Sequence, residues 1–278
     1  MKASLIMPVH NQLEYTKQAV SSIYENAGVP FEIIIINNGS TDNTHSFFNK
    51  AILGYEIKYV KNSKNQTFSK SINQGLKCIS DDCTHIGILN NDILVYKDWL
   101  KLLINHLTDK IRLIAPLQAH GPLERKCIES IYNIRGKYHI KYSGLMDVEK
   151  NWSLEVINKH LSGLYLGKSV KLVKALGFYS AIMEKRTFDE IGFLDDNFIN
   201  GGEDDDYCRR LELKNYAFHC ALDVCIRHFG SKTINATRWK ESRWNVELLS
   251  RKHPDFYKRQ GYKGNVNIKP PSTEYKGS

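Results

Sequence analysis

The sequence contains no apolar run that approaches the ~20 residues needed to cross a bilayer. Its six cysteines in 278 residues lack the density and spacing of a disulfide scaffold, which favours a reducing compartment. The first apolar stretch begins at Ala3, too early for the regions of a signal peptide. Together these absences predict a soluble, cytoplasmic protein.

Glycine-rich phosphate-binding loops are also missing. No G-x-G-x-x-G follows the first apolar run, and no G-x-x-x-x-G-K-[ST] occurs anywhere in the chain. These absences argue against a nicotinamide dehydrogenase and against a P-loop NTPase. Any nucleotide that binds here is therefore held without a glycine-rich helix start.

The charge balance is basic. Lysine and arginine number 39 against 30 aspartates and glutamates, a net charge of +9, and the content of 42% hydrophobic and 25% charged residues is that of a globular chain. The positive excess suits a polyanionic ligand, an anionic membrane surface or nucleic acid, without choosing among them. No RRM, KH or zinc-finger pattern supports simple nucleic-acid recognition.

Short apolar runs alternate with helical periodicity over the first 116 residues. Continuous apolar runs are typical of strands buried on both faces, and the segments between them repeat apolar residues at helical spacing. This alternation predicts an α/β fold with right-handed βαβ units and a Rossmann-like, mostly parallel central sheet flanked by helices. The predicted strands are Ala3–Val9, Phe31–Ile36, Glu56–Val60, His85–Leu89 and Ile111–Pro116, with helices around Ala19–Tyr24, Phe68–Leu76 and Trp99–Leu107.

Short polar side chains follow three of the predicted strands. The first strand ends in "PVHNQ", the second in "NNGSTDNT" and the fourth in "LNNDILV". In open parallel sheets, ligands bind beyond the carboxyl ends of the strands. The sequence therefore predicts a ligand site formed by these three ends.

Four segments, in order, resemble the family 2 glycosyltransferases of the GT-A fold. They are the opening "SLIMPVHNQ" to "NNGSTDNT", the turn "LNND", the stretch Gly177–Leu211 ending in "GGEDDDYCRRL", and "IRHFGSKT" (Ile226–Thr233), which resembles a strand supplying a late histidine. The resemblance covers roughly residues 3–235. It implies a glycosyltransferase domain over 1–235, with a donor-binding half (1–116) and a smaller acceptor-binding half (117–235), and a C-terminal helical extension and tail over 236–278.

The resemblance implies a divalent cation, Mn²⁺ or Mg²⁺, held by Asp92 and His228. A cation that neutralises the leaving diphosphate lowers the barrier to breaking the glycosidic bond, and Mn²⁺ accepts imidazole as well as oxygen ligands. The chain departs from the family's Asp-x-Asp motif, because Asn90 stands at the first position. Its amide can bond a ribose hydroxyl but provides less charge, and Asn91 is assigned to the same nucleotide site. The alternative is that "NND" is only a turn.

A rival metal site is suggested by "HCALDVCIRH". It places His219, Cys220, Cys225 and His228 close together, which is compatible with zinc. The spacing is not that of a usual zinc finger, and alternation along a strand would turn some of these side chains into the core. The resemblance favours His228 as a ligand of the diphosphate-bound cation instead.

The acidic run "GGEDDD" contains the predicted catalytic residues. The resemblance implies that Asp204 is the general base that takes the proton of the acceptor hydroxyl with inversion, and that Glu203 holds an acceptor or sugar hydroxyl. Gly201 and Gly202 would bring the backbone close to the sugar. Asp206 lies four residues before Arg210, so the two are predicted to pair on the following helix.

Nucleotide contacts are assigned to the strand ends. The resemblance implies that Asn38 reads the edge of uracil, since an amide satisfies both a donor and an acceptor. Pro8 and His10 border the base in the first loop, and Lys70 and Asn73 face the ribose or phosphates. Ordinary loop chemistry is the alternative for each of these residues.

The predicted function is an inverting, metal-dependent glycosyltransferase that uses a UDP-sugar. The acceptor would be a carbohydrate or a lipid-linked glycan, as in polysaccharide biosynthesis, and the +9 charge would suit peripheral contact at the inner membrane face. Two alternatives remain: a non-catalytic module that binds sugar nucleotides or carbohydrate, and a glycosyltransferase that acts on modified nucleic acid. Oligomeric state is not predicted.

Overall fold

A computed structural model describes residues 1–49, 56–120, 130–132, 153–172, 175–230 and 238–255. The strands in this part of the chain form one ten-stranded sheet in the order β3-β2-β1-β4-β9-β6-β10-β5, with β7 beside β6 and β8 beside β10. The elements are β1 (Ala3–Val9), α1 (Leu13–Asn26), β2 (Phe31–Asn38), α2 (Thr44–Asn49), β3 (Ile57–Asn62), α3 (Phe68–Leu76), β4 (His85–Leu89), β5 (Ile93–Leu94), α4 (Trp99–Asn105), β6 (Ile111–His120), β7 (Ser130–Tyr132), α5 (Leu154–Tyr165), β8 (Ser169–Lys171), β9 (Ser180–Glu184), α6 (Lys185–Ile191), α7 (Glu203–Leu213), β10 (Ala217–His228) and α8 (Arg238–Lys252).

The strands β1 to β4 are parallel and follow from their apolar runs. β1 pairs in parallel with β2 and with β4, and β2 pairs in parallel with β3. The apolar side chains of β1 and β2 are buried, apart from the partly exposed ends Pro8 and Phe31, because helices cover both faces of the sheet. The predicted α/β fold with a mostly parallel central sheet is confirmed.

β9 lies in the middle of the sheet, antiparallel to its neighbours β4 and β6. Its first four residues, Ser180–Met183, are buried. The sequence places this segment on the acceptor side and does not predict a strand there, because a run of three apolar residues, Ala181–Met183, is too short to show a periodicity. Strands from both predicted halves therefore contribute to one sheet, so the division at residue 116 stays a proposal about roles.

β10 corrects the predicted strand at Ile226–Thr233. The strand begins at Ala217, is parallel to β6, and ends at His228. A shift in register between Cys220 and Cys225 bulges the strand, and Asp223 in the bulge bonds His106 Nε2 (2.8 Å) and the backbone N–H of Gly167 (2.7 Å). The late histidine is thus the last residue of a strand.

The core is continuous through the sheet and the helices on both faces. A second cluster lies between α5 and β10, and a third joins Phe198 to Leu249 on α8, within the predicted C-terminal helical extension. The predicted tail beyond Gly261 lies outside the described residues. Among the described helices, none has both the length and the apolarity that a bilayer span requires.

Candidate functional site

The turn after β4 is fixed between two other parts of the sheet. The backbone N–H of Asn90 donates to the carbonyl of Tyr179, just before β9, at 2.9 Å. The N–H of Phe229, just after β10, donates to the carbonyl of Asp92 at 3.0 Å, and β5 pairs with the end of β10 through Ile93 opposite His228. The topology therefore brings Asp92 and His228 together from positions far apart in the chain.

His228 contacts four side chains at this edge of the sheet. Its Nε2 lies 3.3 Å from Oδ1 of Asp92 and 3.1 Å from Nδ2 of Asn90, and its Nδ1 lies 2.9 Å from Oε1 of Gln118. The ring stacks on Tyr179 with centroids 5.4 Å apart. Because the amide of Asn90 can only donate through Nδ2, Nε2 accepts, and Nδ1 holds the proton that it donates to Gln118. The lone pair of Nε2 is consequently directed to the Asn90–Asp92 turn.

Asn91 anchors the same turn to the first helix. Its Nδ2 donates to the hydroxyl of Thr16 on α1 at 2.9 Å, and Thr16 is fully buried. The amide of Asn90, which stands where the family has a carboxylate, donates to His228. The structure therefore shows Asn90 and Asn91 holding the geometry of the site, and their predicted contacts with a nucleotide stay predictions.

Asn38 lies at the predicted edge, but both ends of its amide are bonded within the protein. Its Nδ2 donates to the hydroxyl of Ser71 at 2.7 Å, and its Oδ1 accepts from Nδ2 of Asn62 at 3.0 Å. His10, which follows β1 two residues after Pro8, donates from Nδ1 to the backbone carbonyl of Asn38 at 2.8 Å. These two bonds use one of the two Nδ2 hydrogens and one of the two Oδ1 lone pairs, so contact between the Asn38 amide and uracil stays a prediction.

Asn73 supports the loop after α6 instead of facing a ligand. Its Nδ2 donates to the carbonyl of Leu194 (2.8 Å) and to Oδ1 of Asp196 (2.6 Å), and its Oδ1 accepts from the N–H of Leu194 (2.9 Å). Both amide hydrogens are used, so the predicted contact with ribose or phosphate has no donor left on this side chain. Lys70, in the first turn of α3, is exposed at the surface.

The acidic run begins α7 behind two glycines. Gly201 (φ 150°) and Gly202 (φ 87°) adopt backbone conformations that favour glycine. Glu203 accepts from the N–H of Gly201 at 2.6 Å, and Asp204 accepts from the N–H of Asp205 at 3.0 Å. Both carboxylates are buried at a helix N-terminus, where the helix dipole stabilises negative charge.

Asp206 has the structural role that was predicted, with more partners than predicted. It is completely buried and pairs with Nε of Arg210 (3.0 Å), Nζ of Lys252 (2.7 Å) and Nε2 of His253 (2.8 Å). Burial by itself raises its pKa, but the hydrogen bonds from His253 and Lys252, with the charge of Arg210, outweigh it and hold the pKa of Asp206 below its usual value. Asp206 therefore joins α7 to α8.

The zinc alternative finds no support in the described residues. No group of three His, Cys, Asp or Glu side chains among them could hold a metal ion. His219 bonds the hydroxyl of Ser169 at 2.9 Å, and burial raises the pKa of the Cys220 thiol well above its ordinary value. These side chains belong to the packing around β10.

Gln118 and Tyr179 were missed by the sequence analysis. Gln118 lies on β6 opposite Ile226 of β10, and the hydroxyl of Tyr179 donates to the carbonyl of Pro116 at 2.6 Å. Gln118 belongs to no local motif, and Tyr179 lies in the Gly177–Leu211 segment without being singled out there. The only available signal was that Gln118 is a polar residue just beyond a predicted buried strand.

The family model for glycosyl transferase family 2 matches residues 4–152, more than half of the chain. The chain belongs to this family. An uncharacterized glycosyltransferase of Haemophilus influenzae is 31% identical over 37% of this chain and 32% of its own length. One of Rickettsia conorii is 29% identical over 48% of this chain and 22% of its own length. The chain thus spans less than a third of these relatives.

Solved structures of glycosyltransferases share the fold at low identity. GalNAc-T7, solved with UDP, GalNAc and Mn²⁺, gives a TM-score of 0.63 at 12% identity over 95% of this chain and 52% of its own. TarS of S. aureus, solved with UDP-GlcNAc, has a TM-score of 0.58 at 15% identity, over 91% of this chain and 66% of its own. The mannosyltransferase PcManGT of Pyrobaculum calidifontis, solved with GDP-Man and Mn²⁺, has a TM-score of 0.58 at 13% identity, over 90% of this chain and 64% of its own. The predicted GT-A fold is confirmed, and the family and the relatives' names support an enzyme of the transferase class.

Proposed function

We propose that the chain is an inverting glycosyltransferase that moves a sugar from a UDP-sugar to an acceptor hydroxyl with the help of a divalent cation. The main support is the 3.3 Å approach of Oδ1 of Asp92 to Nε2 of His228 at the carboxyl edge of the sheet. An open parallel sheet binds its ligands at this edge. A carboxylate and a neutral imidazole nitrogen directed to the same point form a donor set for Mn²⁺.

The residues fit such a cation. Two ligands at about 2.1 Å in adjacent octahedral positions lie roughly 3 Å apart, close to the observed separation of 3.3 Å. The Nε2 lone pair now accepts from Asn90 and would be given up to the metal, while Nδ1 keeps its bond to Gln118. A bound cation would supply charge neutralisation of the leaving diphosphate. With Asn90 neutral, the turn Asn90–Asp92 provides one carboxylate, so the diphosphate must complete the ligand set.

The acceptor chemistry is assigned to the start of α7. Asp204 would take the proton of the attacking hydroxyl, and Glu203 would hold an acceptor or sugar hydroxyl. Their burial excludes most water, and the bond from the N–H of Gly201 fixes the Glu203 carboxylate. Asp206 is excluded as the base because Arg210, Lys252 and His253 already bind it.

The solved neighbours favour a nucleotide-sugar donor with Mn²⁺. Two of the three were solved with UDP or a UDP-sugar and one with GDP-Man, so UDP is proposed first and GDP second. The acceptor is proposed to be a carbohydrate or a lipid-linked glycan. The net charge of +9 suits an anionic acceptor or the cytoplasmic face of a membrane.

The test is metal-dependent turnover of a panel of UDP- and GDP-sugars. Asp92→Ala and His228→Ala should each weaken Mn²⁺ binding and lower donor hydrolysis by about 100-fold or more. Mn²⁺ binding is measured in the presence of UDP from the spectral signal of free Mn²⁺. Asp82→Ala is the matched control, because Asp82 is exposed and pairs only peripherally with Lys2. Undiminished turnover in excess chelator would remove the metal from the mechanism. Nucleotide binding without any turnover by the parental protein would favour the non-catalytic alternative.

A further inference from the structure

The loop between α6 and α7, residues 192–202, is held by the C-terminal helix α8. Asn245 of α8 bonds both backbone groups of Ile199: its Oδ1 accepts from the N–H at 2.8 Å, and its Nδ2 donates to the carbonyl at 2.7 Å. Asn245 is buried. The Asn245 side chain thus provides hydrogen-bond partners for both backbone groups of Ile199, as a neighbouring strand would do in a sheet.

Further contacts from α8 reach the same loop. Nε1 of Trp244 donates to the carbonyl of Asn197 at 2.9 Å, and Nζ of Lys252 pairs with Asp195 at 2.6 Å. Phe198, fully buried, packs on Leu249 in a cluster separate from the main core. The contacts run along the helix from Trp244 to Lys252, so α8 fixes the loop over most of its length.

The opposite side of the loop is fixed by α3 of the donor half. Oδ1 of Asn200 accepts from the N–H of Phe68 at 3.0 Å, and Asn73 bonds Leu194 and Asp196. Asn200 itself has φ 50°, which is unusual for a residue other than glycine. The backbone between Ile199 and α7 is thus confined from both sides in a conformation that it would not adopt freely.

The confined segment leads directly into the two proposed site carboxylates. Ile199 is followed by Asn200, Gly201 and Gly202, and the N–H of Gly201 binds the carboxylate of Glu203. A Cβ on Gly202 would lie 3.0 Å from the ring of Phe198 and 3.5 Å from Cβ of Asn245, so the turn fits closely between these two side chains. A shift of Ile199 would therefore move the start of α7.

We propose that Asn245 is a positioning residue for the transfer reaction, which sets the place of Glu203 and Asp204 through the backbone of Ile199. The inference rests on the proposed function of Asp204. A displacement of about 1 Å at a reacting group can lower a rate by about 100-fold. Without the Asn245 amide, the N–H and carbonyl of Ile199 lose their partners, and the glycine turn is free to relax.

The test compares Asn245→Ala and Asn245→Asp with Glu247→Gln. The aspartate still accepts from the N–H of Ile199, but its second oxygen faces and repels the carbonyl of Ile199, so it should lower kcat at least as much as the alanine. Glu247 is buried on the same helix and pairs with Arg251 within the helix, which makes Glu247→Gln a control for damage to α8 alone. Transfer rate, donor KM, UDP affinity and Tm are measured at a temperature where every variant is folded.

We expect Asn245→Ala to lower kcat by about 10-fold or more, while donor KM and UDP affinity stay within about two-fold. Amide hydrogen exchange should rise between Ile199 and Asp204. Glu247→Gln should lower Tm without changing kcat. A kcat equal to the parental value in Asn245→Ala, with a lower Tm, would overturn the proposal, and so would an equal loss of kcat in Glu247→Gln.

A double variant separates this proposal from the role of Asp204. Because Asn245 is proposed to place Glu203 as well as Asp204, Asn245→Ala should lower kcat much less in the Asp204→Asn background than in the parental protein. A parental transfer rate in Asp204→Asn would refute Asp204 as the base. The effect of Asn245→Ala on kcat would then be interpreted independently of Asp204. Fully additive losses would show that Asn245 acts elsewhere and would overturn the positioning role.

Discussion

Replacing Glu32 with glutamine should remove a large part of the acid sensitivity of the fold. Glu32 lies on β2 and is completely buried. Its carboxylate accepts from the hydroxyl of Ser4 (2.6 Å) and from the N–H (2.9 Å) and hydroxyl (2.7 Å) of Ser80, and it pairs with Nζ of Lys58 (3.0 Å). Burial raises its pKa, but these hydrogen bonds outweigh burial and lower the pKa of Glu32 from 4.5 to about 2.

The size of the effect follows from the difference in pKa between the folded and unfolded chain. One unit corresponds to about 1.4 kcal/mol, so a pKa that falls from 4.5 to about 2 contributes on the order of 3 kcal/mol at neutral pH. Because the folded pKa is the lower one, this stability is fully present above pH 4.5 and is lost as the pH falls toward 2. Lys58 is 40% exposed, so solvent screens its attraction to Glu32. The Glu32 carboxylate is therefore expected to contribute about 2 kcal/mol to the free energy of unfolding.

The assay is urea unfolding of the parental protein and Glu32→Gln at several pH values between 7 and 2.5. The free energy of unfolding of the parental protein should fall by about 2 kcal/mol more than that of Glu32→Gln across this interval. Glu56→Gln is the control, because Glu56 is exposed and pairs with Lys2 at the surface; it should keep the parental slope. Parallel curves for the parental protein and Glu32→Gln would refute the assignment of acid sensitivity to this buried carboxylate.

Four further variants test other parts of the molecule. Asp204→Asn should lower the transfer rate by about 100-fold or more with little change in UDP affinity; a dead Asp206→Asn beside a fully active Asp204→Asn would place the base two residues later. Asp206→Asn should leave turnover near normal in the folded protein and lower the free energy of unfolding by about 3 kcal/mol, because the partly buried Arg210 and Lys252 lose a fully buried counter-charge. Gly75→Ala should destabilise the fold by about 1–3 kcal/mol, since its Cβ would lie 2.3 Å from Cγ2 of buried Ile6; Gly163→Ala, in an open helical position, should stabilise it by about 0.5–1 kcal/mol. Denaturant unfolding separates the two glycines, and equal changes would contradict the packing argument.

The N-terminal half of the fold could be predicted from apolar periodicity. The bounds of β1 and β4 were predicted as observed, and the helix marked by Phe68 and Leu76 is α3. These elements repeat a pattern over many residues, so local sequence determines them. The four buried residues that begin β9 offered no such pattern, and their place between β4 and β6 depends on pairing across the chain.

The positions of site residues could be predicted from the ends of strands. The hydrogen-bond partners of their side chains could not be predicted, because each side chain has several partners within reach. Asp92 and His228 come together because Asp92 follows β4 and His228 is the last residue of β10, at the same edge of the sheet. The tautomer of His228 depends on Gln118, which no local motif marks. Asn73 was assigned to a ligand although it bonds the loop after α6, because an amide in a sequence does not reveal which backbone groups will lie near it.

For Asp206, the sequence predicted one partner correctly and missed two others. Its spacing to Arg210 predicted an ordinary helical pair, worth only a few tenths of a kcal/mol. The structure adds Lys252 and His253 from α8 and buries the carboxylate completely. The expected cost of Asp206→Asn is accordingly several times that of the helical pair alone.

The central position of β9 has a consequence for the folding of the protein during its synthesis on the ribosome. β4 is complete at Leu89, but its neighbour on one side is not synthesised until Glu184. At translation speeds of about 5–20 residues per second, the edge of β4 waits on the order of ten seconds with unpaired backbone groups on an apolar strand. Such an edge is a template for pairing with other chains. The interval before residue 184 emerges is therefore when a nascent chain most needs a chaperone, and a ribosome stalled within it would release a product prone to aggregation.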